Sequence, residues 1–522
     1  MQSFSSTRRR MLLAAPGMLL FSCGGRYNQS SLNESQLQAA VGKLNAYAAK
    51  SMASSGVPGM AIAVVYRDQV LHLKGYGIRK AGRREAVDSD TVFQLASVSK
   101  PIASTVMAAL AGRGLIHWDD AISRHDRTFR LSDPDATRLL TLRDLFCHRS
   151  GLAGHAGDLL EDIGYERSEI VRRLRYLPID GRFRRQYAYT NFGLSAAAFA
   201  ASAAAGASWE DLAGRYLFEA AGMRTASYRH ADFLARENRA ALHVEVNGRF
   251  AARYERNADA QSPAGGASAS VADLARWLQL HLNQGVLDGQ LLLPAAALAE
   301  TRTEQIETAS AADSPSGRAE YYGLGWISNQ DAQGRRRNSH SGAFALGAST
   351  CVQLAPDQQL GIVVLTNGAP VGLPEAVATT FMENALDGRV SKDWFTLFSN
   401  GVRAAMAAEF KGPTDYSVPP AQPFPARAAS AYTGRYTQPY YGEIRVQGNG
   451  GGLALLLGPQ RVAYPMRHWS GDRFVFQPAG ENAVETSGII FDAGADGGGR
   501  AARVRIEYLD QNGEGDFVRA DG

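Results

Sequence analysis

Cysteine is scarce in this chain, with three in 522 residues. So few thiols exclude the disulfide-stapled scaffolds, which carry several cysteine pairs in a short chain. The sequence also has no Cys-x-x-Cys pair and no His-Glu-x-x-His, which are common zinc-binding patterns. We therefore expect no metal and no cofactor, and we expect Cys147 and Cys351 to be buried free thiols.

A large charge of either sign is absent as well. The 55 Lys and Arg residues against 51 Asp and Glu residues give a net charge of +4, which favours neither a nucleic-acid-binding protein nor a basic membrane surface. A Gly-x-Ser-x-Gly elbow and a phosphate-binding glycine loop are missing, which disfavours α/β-hydrolases and nucleotide enzymes. The triplet Arg335-Arg336-Arg337 allows two interpretations. It is either a cationic rim that draws anionic substrates to a cleft or part of a plain hairpin turn.

The N-terminal apolar run is too short to span a membrane. It extends from Met11 to Phe21, whereas a bilayer needs about 20 residues. Thr7-Arg8-Arg9-Arg10 resembles a twin-arginine export motif, and Leu20-Phe21-Ser22-Cys23 matches the bacterial lipobox. We expect an exported lipoprotein of the bacterial cell envelope that faces the periplasm and is lipidated at Cys23. A plain signal peptide with an incidental cysteine is the alternative.

The chain does contain a Ser-x-x-Lys tetrad, Ser97-Val98-Ser99-Lys100. If this segment is helical, the two end residues lie on one face and Lys100 points at the Ser97 hydroxyl. A serine hydroxyl becomes a good nucleophile when a base removes its proton, and burial can lower a lysine pKa far enough for that task. Chance alone supplies about one or two such tetrads in a chain of this length, so the prediction depends on the accompanying motifs.

Two further triplets follow in order. Tyr189-Thr190-Asn191 lies where a polar stretch meets an Ala-rich helix, so it predicts a tyrosine at a loop–helix junction. A core tyrosine with a satisfied hydroxyl is the alternative. His340-Ser341-Gly342 precedes small residues that grade into a strand over 343–352, with 360–365 as its hairpin partner.

With these motifs the chain resembles the class C β-lactamase and low-molecular-weight penicillin-binding-protein superfamily, which includes esterases and D-aminopeptidases. Three further segments carry the resemblance, which extends over residues 32 to 390. They are Thr141–Leu152, which resembles "LTLRDLLxHxSGL", Ser262–Gly266 with Asp273–Trp277, which resembles "PAGG…DLARW", and Tyr322–Trp326, which resembles "YGLGW".

The resemblance implies a role for each motif residue. Ser97 is the acylated nucleophile, Lys100 its proton partner, and Tyr189 the base that activates first Ser97 and then the deacylating water. Asn191 binds the substrate amide or the lysine. The N–H groups of Ser97 and Ala343 form an oxyanion hole.

The third motif departs from the β-lactamase pattern, because His340 stands where Lys is usual. Ser341 and Gly342 complete the implied substrate-binding strand. A histidine with a pKa near 6.5 is mostly neutral at pH 7, so a carboxylate-bearing substrate is less strongly implied. We therefore expect the esterase or peptidase branch. A true β-lactamase or DD-carboxypeptidase is the first alternative, and a catalytically silent scaffold that binds cell-wall peptides is the second.

The pattern along the chain predicts an α+β fold in which an antiparallel sheet is flanked by helices and joined to an all-α half, and the resemblance implies that this is a β-lactamase/DD-peptidase-like fold. Ser31 to Glu34 resembles a capping box, and the segments 60–66 and 70–77 predict a hairpin. Short alternating runs near the C-terminus predict a small all-β domain similar to the lipocalin-like domain of some family members. This domain either covers the cleft, supports oligomers or only packs against the catalytic domain.

The domain boundaries follow from these patterns, and the expected partner is a small-molecule or peptide substrate. No nucleic acid is expected, membrane contact is through the lipid anchor only, and the oligomeric state stays open. The predicted units are a signal peptide at 1–23, a tether at 24–31, the hydrolase domain at 32–410, a proline-rich linker at 411–426 and the all-β domain at 427–522.

Overall fold

The computed structural model describes residues 32–179, 181–314, 317–492 and 499–520. The export motif, Cys23 and Ser31 therefore lie outside the described residues. The helices are α1 (Glu34–Ser55), α2 (Ser99–Gly112), α3 (Ile122–His125), α4 (Pro134–Leu139), α5 (Leu142–Phe146), α6 (Asp158–Asp162), α7 (Arg167–Arg173), α8 (Asn191–Ala205), α9 (Trp209–Ala213), α10 (His230–Ala235), α11 (Ser262–Gly265), α12 (Val271–Leu282), α13 (Ala295–Thr301), α14 (Leu373–Asp387) and α15 (Trp394–Glu409).

The strands fall into an N-terminal and a C-terminal group. The first group is β1 (Gly59–Tyr66), β2 (Gln69–Gly77), β3 (Val92–Gln94), β4 (Val244–Val246), β5 (Arg249–Ala251), β6 (Ser268–Ser270), β7 (Val286–Leu287), β8 (Gln290–Leu291), β9 (Ile306–Ala309), β10 (Glu320–Tyr322), β11 (Ile327–Gln330), β12 (Arg336–Phe344), β13 (Ala348–Ala355) and β14 (Leu360–Thr366). The second group is β15 (Gly434–Gln438), β16 (Gly442–Asn449), β17 (Gly452–Leu457), β18 (Val462–Ser470), β19 (Arg473–Phe476), β20 (Ser487–Asp492), β21 (Arg503–Ile506) and β22 (Asp516–Arg519).

The central sheet is antiparallel and has the order β2-β1-β14-β13-β12-β11-β10-β9. Its first two strands precede Ser97 in the chain, and the others follow it. Every residue of β1 and β14 is buried, because helices cover both faces of the sheet. Helices α1 and α14 pack on one face, and α12 packs on the other.

A mostly helical half is inserted between β3 and β6. Its α8 is rich in alanine and almost wholly buried, and it packs against α5, α11 and α2. Because α2 is buried along nearly its whole length, its first turn is held rigidly between the helical half and the sheet. The predicted antiparallel sheet with flanking helices and an all-α half is confirmed.

The C-terminal strands form a closed barrel, β15 to β22 in sequence order. Closure leaves no unpaired edge, and the inward side chains of alternating positions fill the interior. The predicted all-β domain is therefore a barrel. Between it and the sheet domain lies α15, a helix that the sequence patterns did not predict, and none of its residues is fully buried.

The start of α1 and the strand predicted over 343–352 differ from the sequence-based predictions, and the position of the arginine triplet bears on its two interpretations. Asn33 caps α1 by accepting a hydrogen bond from the backbone of Gln36, so the predicted capping box that starts at Ser31 is wrong. The predicted strand over 343–352 is two strands, because a turn before β13 contains Gly347 at φ +131°. The arginine triplet starts β12 just after the hairpin turn.

The arginines of this triplet are paired with carboxylates, and none of them lines the cavity that contains Ser97. Arg335 binds Asp331 and Asp387, and Arg336 binds Asp357. This arrangement favours the hairpin interpretation. Both thiols are free and buried, as predicted for Cys147 and Cys351.

Two features are absent from the part of the chain that the structure describes. No helix there is long and apolar enough to cross a bilayer. No group of three or more His, Cys, Asp or Glu side chains in that part of the chain is placed to hold a metal ion.

Candidate active site

Ser97 lies in a short 3-10 turn, Ala96–Val98, that leads into α2. Ala96 has φ +46°, a left-handed conformation that is uncommon for alanine and is found where surrounding structure enforces it. Strand β12 passes close to this turn at Gly342. A Cβ at Gly342 would lie 2.4 Å from the Leu95 carbonyl oxygen and 2.9 Å from the Ser97 nitrogen. Only glycine therefore lets the strand approach the nucleophile turn this closely.

Lys100 is fully buried in the first turn of α2, with 0% exposure. Its Nζ lies 3.0 Å from Ser97 Oγ and also donates to Asn191 Oδ1 at 2.7 Å and to the Ala264 carbonyl at 3.0 Å. Burial lowers the pKa of Lys100 to about 7, although the charge of Asp158 opposes the shift. A neutral amine is thus accessible at neutral pH.

Tyr189 approaches the same hydroxyl from the helical half. Its OH lies 2.8 Å from Ser97 Oγ, and its ring lies 4.4 Å from Lys100 Nζ. Burial raises the pKa of Tyr189 well above its usual value of 10, so phenolate is hard to form here. The position just before α8 agrees with the predicted loop–helix junction.

Asn191 connects Lys100 to a carboxylate that the motif analysis missed. Its Nδ2 donates to Asp158 Oδ2 at 2.9 Å, and the same oxygen accepts a hydrogen bond from His155 Nδ1 at 3.0 Å. The Asp158 side chain is only 4% exposed. The site is therefore a connected polar network from Ser97 to His155.

His340 lies on β12 with 4% exposure. Its Nδ1 donates to the Ser341 carbonyl at 2.7 Å, because a carbonyl can only accept, and its Nε2 accepts from Tyr322 OH at 2.8 Å. Burial, aided by the charge of Lys100, lowers the pKa of His340 to about 3. The imidazole is thus neutral at every physiological pH, and it offers no cation to a substrate carboxylate.

The remaining predicted residues follow on the same strand. Ser341 and Ala343 line the cavity that contains Ser97. The Ser341 side chain lies on the opposite face of the sheet from His340, since neighbouring strand residues alternate. There it lies near Glu375 of α14, and its presence lowers the pKa of that carboxyl against the larger effect of burial.

The cavity at Ser97 has a volume of about 340 Å³, and a loop of the barrel forms part of its wall. Glu481 of this loop accepts a hydrogen bond from the Ala345 backbone at 2.5 Å. Burial raises the pKa of Glu481 to about 8. Nearby, Arg256 pairs with Glu161 at 2.5 Å. A larger cavity of about 870 Å³ lies between α15 and the barrel, but Ser97 is not among its lining residues.

The barrel loop is fixed by Asp162 at the end of α6. Its carboxylate accepts from the backbone N–H groups of Glu481 and Asn482, both at 2.9 Å, and from Tyr508 OH at 3.0 Å. In addition, Tyr440 OH accepts a hydrogen bond from the Gly157 backbone at 2.8 Å. The all-β domain thus forms part of the cleft wall and does more than only pack against the catalytic domain, whereas a role in oligomers stays a prediction.

The family model described as Beta-lactamase matches residues 44–387. The chain belongs to the beta-lactamase family. The match includes all the residues discussed above from Ser97 to Glu375. The predicted resemblance to the serine β-lactamase and penicillin-binding-protein superfamily is confirmed.

Two curated proteins are similar in sequence to this beta-lactamase-family chain. Penicillin-binding protein 4 of Amycolatopsis lactamdurans is 28% identical over 332 residues, which are 62% of this chain and 83% of that protein. Unguisins hydrolase ungD of Aspergillus violaceofuscus (strain CBS 115571) is 24% identical over 423 residues, with 75% and 73% covered.

Two solved structures share the fold. The octameric penicillin-binding protein homologue from Pyrococcus abyssi matches with a TM-score of 0.59 and 18% identity, covering 92% of this chain and 100% of that one. A class C beta lactamase from Rhodobacter sphaeroides matches with a TM-score of 0.53 and 18% identity, covering 67% and 98%. The predicted β-lactamase/DD-peptidase fold is confirmed. A second family model, a domain of unknown function named DUF3471, matches residues 418–515, which include most of the barrel.

Proposed function

We propose that this beta-lactamase-family protein is a serine hydrolase that cleaves esters, amides or D-amino-acid peptides through an acyl-enzyme on Ser97. One observation carries the proposal: Ser97 Oγ lies 3.0 Å from Lys100 Nζ and 2.8 Å from Tyr189 OH. A hydroxyl between an amine and a phenol, at the start of a buried helix, has the contacts that an activated nucleophile needs.

Lys100 is the better base of the two in the resting site. Its pKa of about 7 leaves a large neutral fraction at neutral pH, whereas burial makes Tyr189 a poor base. We therefore assign the removal of the Ser97 proton to Lys100. Tyr189 then serves as a hydroxyl that passes this proton toward the leaving group, and the two residues titrate as a coupled pair.

The substrate carbonyl needs donors where negative charge develops. The backbone N–H groups of Ser97 and Ala343 are assigned to this oxyanion hole, and the close approach of β12 at Gly342 supports their pairing. Loss of one such donor typically raises the activation barrier of the chemical step by about 3 kcal/mol.

The lining of the cavity favours the esterase or peptidase branch. A neutral, buried His340 gives no fixed cation for a carboxylate, and the guanidinium of Arg256 is already paired with Glu161. The name of the fungal relative, a hydrolase, agrees with bond cleavage. The name of the actinobacterial relative keeps a β-lactamase or DD-carboxypeptidase as a second candidate.

A fluorophosphonate probe with intact-mass readout tests the nucleophile. Wild type should gain one adduct and Ser97→Ala none. Ser99→Ala is the matched control, since Ser99 lies in the same tetrad and its hydroxyl accepts a hydrogen bond from the Ala267 backbone, and this variant should still be labelled. Folded wild type without an adduct would favour the silent scaffold. A chromogenic ester assayed beside a chromogenic cephalosporin separates the esterase from the β-lactamase.

We also propose that the protein is an exported lipoprotein of the bacterial cell envelope, anchored through Cys23. The support is the sequence alone, namely the twin-arginine-like motif followed by the lipobox. Replacing Cys23 by Ser should release the protein from the membrane fraction. Retention of the Cys23→Ser variant there would contradict the lipid anchor.

A further inference from the structure

His155 is held in an unusual backbone conformation beside the nucleophile site. Its φ is +59°, in the left-handed region that non-glycine residues rarely adopt. Its N–H donates to the carbonyl oxygen of Tyr189 at 2.8 Å, and the two rings lie 5.9 Å apart. Such conformations persist where the surroundings enforce them, and they cluster at active sites.

The His155 ring is oriented by a buried carboxylate. Because the Asp158 carboxylate can only accept, Nδ1 of His155 must carry the proton in their 3.0 Å contact. In the neutral ring, Nε2 then has a free lone pair, and it has no hydrogen-bond partner among the residues that the structure describes. The side chain is 48% exposed and lines the Ser97 cavity. A histidine held at Nδ1 by aspartate, with Nε2 available, is the arrangement of a general base.

Hydrolysis of an acyl-enzyme needs a base for the attacking water, with a pKa near the working pH. Lys100 contacts Ser97 Oγ and is needed to return a proton to that oxygen, and the other candidates around the cavity are poorly suited. Burial raises the pKa of Tyr189, so the phenol stays protonated and cannot take a proton from water. His340 uses both ring nitrogens in hydrogen bonds, and its pKa is lowered to about 3. His148 is completely buried, and its Nδ1 accepts from the Thr190 backbone.

We propose that His155, held by Asp158, is the general base for deacylation, an inference that rests on the proposed acyl-enzyme on Ser97. A water in the cavity gives a proton to His155 Nε2 while its oxygen bonds to the acyl carbonyl carbon. The tetrahedral intermediate collapses by breaking the bond to Ser97 Oγ, which takes a proton from the Lys100–Tyr189 pair. His155, being half exposed, releases its proton to solvent, from which the pair recovers one.

The charged groups that face His155 come from several elements. Asp158 of α6 and Glu409 of α15 raise its pKa, whereas burial and the charge of Lys100 lower it, and the net shift is upward from 6.5. Buried His148 also lies close enough to interact electrostatically. Because the base form of His155 dominates only above this pKa, deacylation should rise with pH through a midpoint above 6.5.

Burst kinetics with a chromogenic ester separate acylation from deacylation. His155→Asn is the suitable variant, because asparagine tolerates the left-handed conformation. The initial burst should remain, steady-state turnover should fall about 100-fold, and the acyl adduct on Ser97 should accumulate by intact mass. His230→Asn is the matched control, since His230 lines a different cavity, and it should keep both phases.

Chemical rescue distinguishes a base from a merely structural residue. His155→Gly also fits the left-handed backbone, and added imidazole should restore turnover in that variant but not in Ser97→Ala. Unchanged turnover in His155→Asn, or an equal loss of burst rate and turnover, would overturn the role of His155. A wild type that shows no burst and no adduct would refute the proposed function itself, and the role of His155 with it.

Discussion

Oδ2 of Asp158 accepts a hydrogen bond from Nδ2 of Asn191 at 2.9 Å, and this contact turns Oδ1 of Asn191 toward Lys100. By accepting from the amide N–H, the carboxylate fixes which end of the Asn191 amide faces the amine of Lys100. It also raises the pKa of Lys100 against the larger effect of burial. Asp158 is therefore a positioning residue for the lysine, in addition to its contact with His155.

Replacing Asp158 by Asn should move the pH dependence of acylation. Asparagine can still accept from Asn191, but the negative charge that raises the Lys100 pKa is lost, so this pKa should fall below about 7. Because the neutral amine is the active form, the acid limb of the pH–rate profile should shift to lower pH. The rate of fluorophosphonate labelling measures this limb. Asp211→Asn, at an exposed carboxylate, is the control, and an upward shift in Asp158→Asn would contradict the prediction.

Gly342→Ala should damage both stability and acylation. The new Cβ would meet the Leu95 carbonyl at 2.4 Å and the Ser97 nitrogen at 2.9 Å, and both are backbone atoms that cannot move away cheaply. We expect a loss of about 1–3 kcal/mol in the free energy of unfolding and a lower kcat. Denaturant titration and ester turnover measure the two effects.

A second glycine provides the control for this substitution. Gly42 lies inside α1, and a Cβ there meets nothing within 4 Å. Gly42→Ala should therefore stabilise the protein by about 0.5–1 kcal/mol, because alanine is the better helix former. If both variants change the unfolding free energy alike, steric contact at Gly342 is not the cause.

His340→Lys should destabilise the fold. The site is 4% exposed and already contains the amine of Lys100, so a second ammonium would be buried beside a like charge. We expect a loss of about 3 kcal/mol in unfolding free energy, measured by urea titration, whereas neutral His340→Gln should lose less. In the folded fraction, the new cation should favour carboxylate-bearing esters over neutral ones. Unchanged selectivity would refute our interpretation of the third motif.

Part of the site could be predicted from the sequence because several of its residues lie close together along the chain. Ser97 and Lys100 share one helical turn, and Tyr189 and Asn191 lie together at the start of α8, so short motifs identify them. No short motif identifies Asp158, because its partner Asn191 lies 33 residues away in the chain.

The contacts that were missed join distant segments. Asp158 meets Asn191 across 33 residues, and Asp162 meets Glu481 across 319 residues. No periodicity or spacing marks such pairs, because tertiary packing alone brings them together. His340 shows the same limit in its chemistry. Its residue type indicates a pKa near 6.5, and only the burial seen in the fold lowers that value to about 3.

Asp162→Ala should release the barrel loop from the cleft wall. The carboxylate of Asp162 accepts from the backbones of Glu481 and Asn482, and its loss leaves these N–H donors without their partner. Because the loop borders the cavity but does not touch Ser97 Oγ, KM for a chromogenic ester should rise about tenfold. The rate of labelling by a small fluorophosphonate should change less than about twofold.

The control for this experiment is Glu485→Ala, in the same barrel segment but bordering the larger cavity near α15 instead of the Ser97 cavity. It should leave KM unchanged. Limited proteolysis reports the loop directly, since a freed segment at Glu481 is cut faster than a docked one. Faster cleavage of Asp162→Ala with an unchanged KM would mean that the loop borders the cleft without contributing to substrate binding. A rise in KM together with faster cleavage would establish the barrel as part of the substrate site.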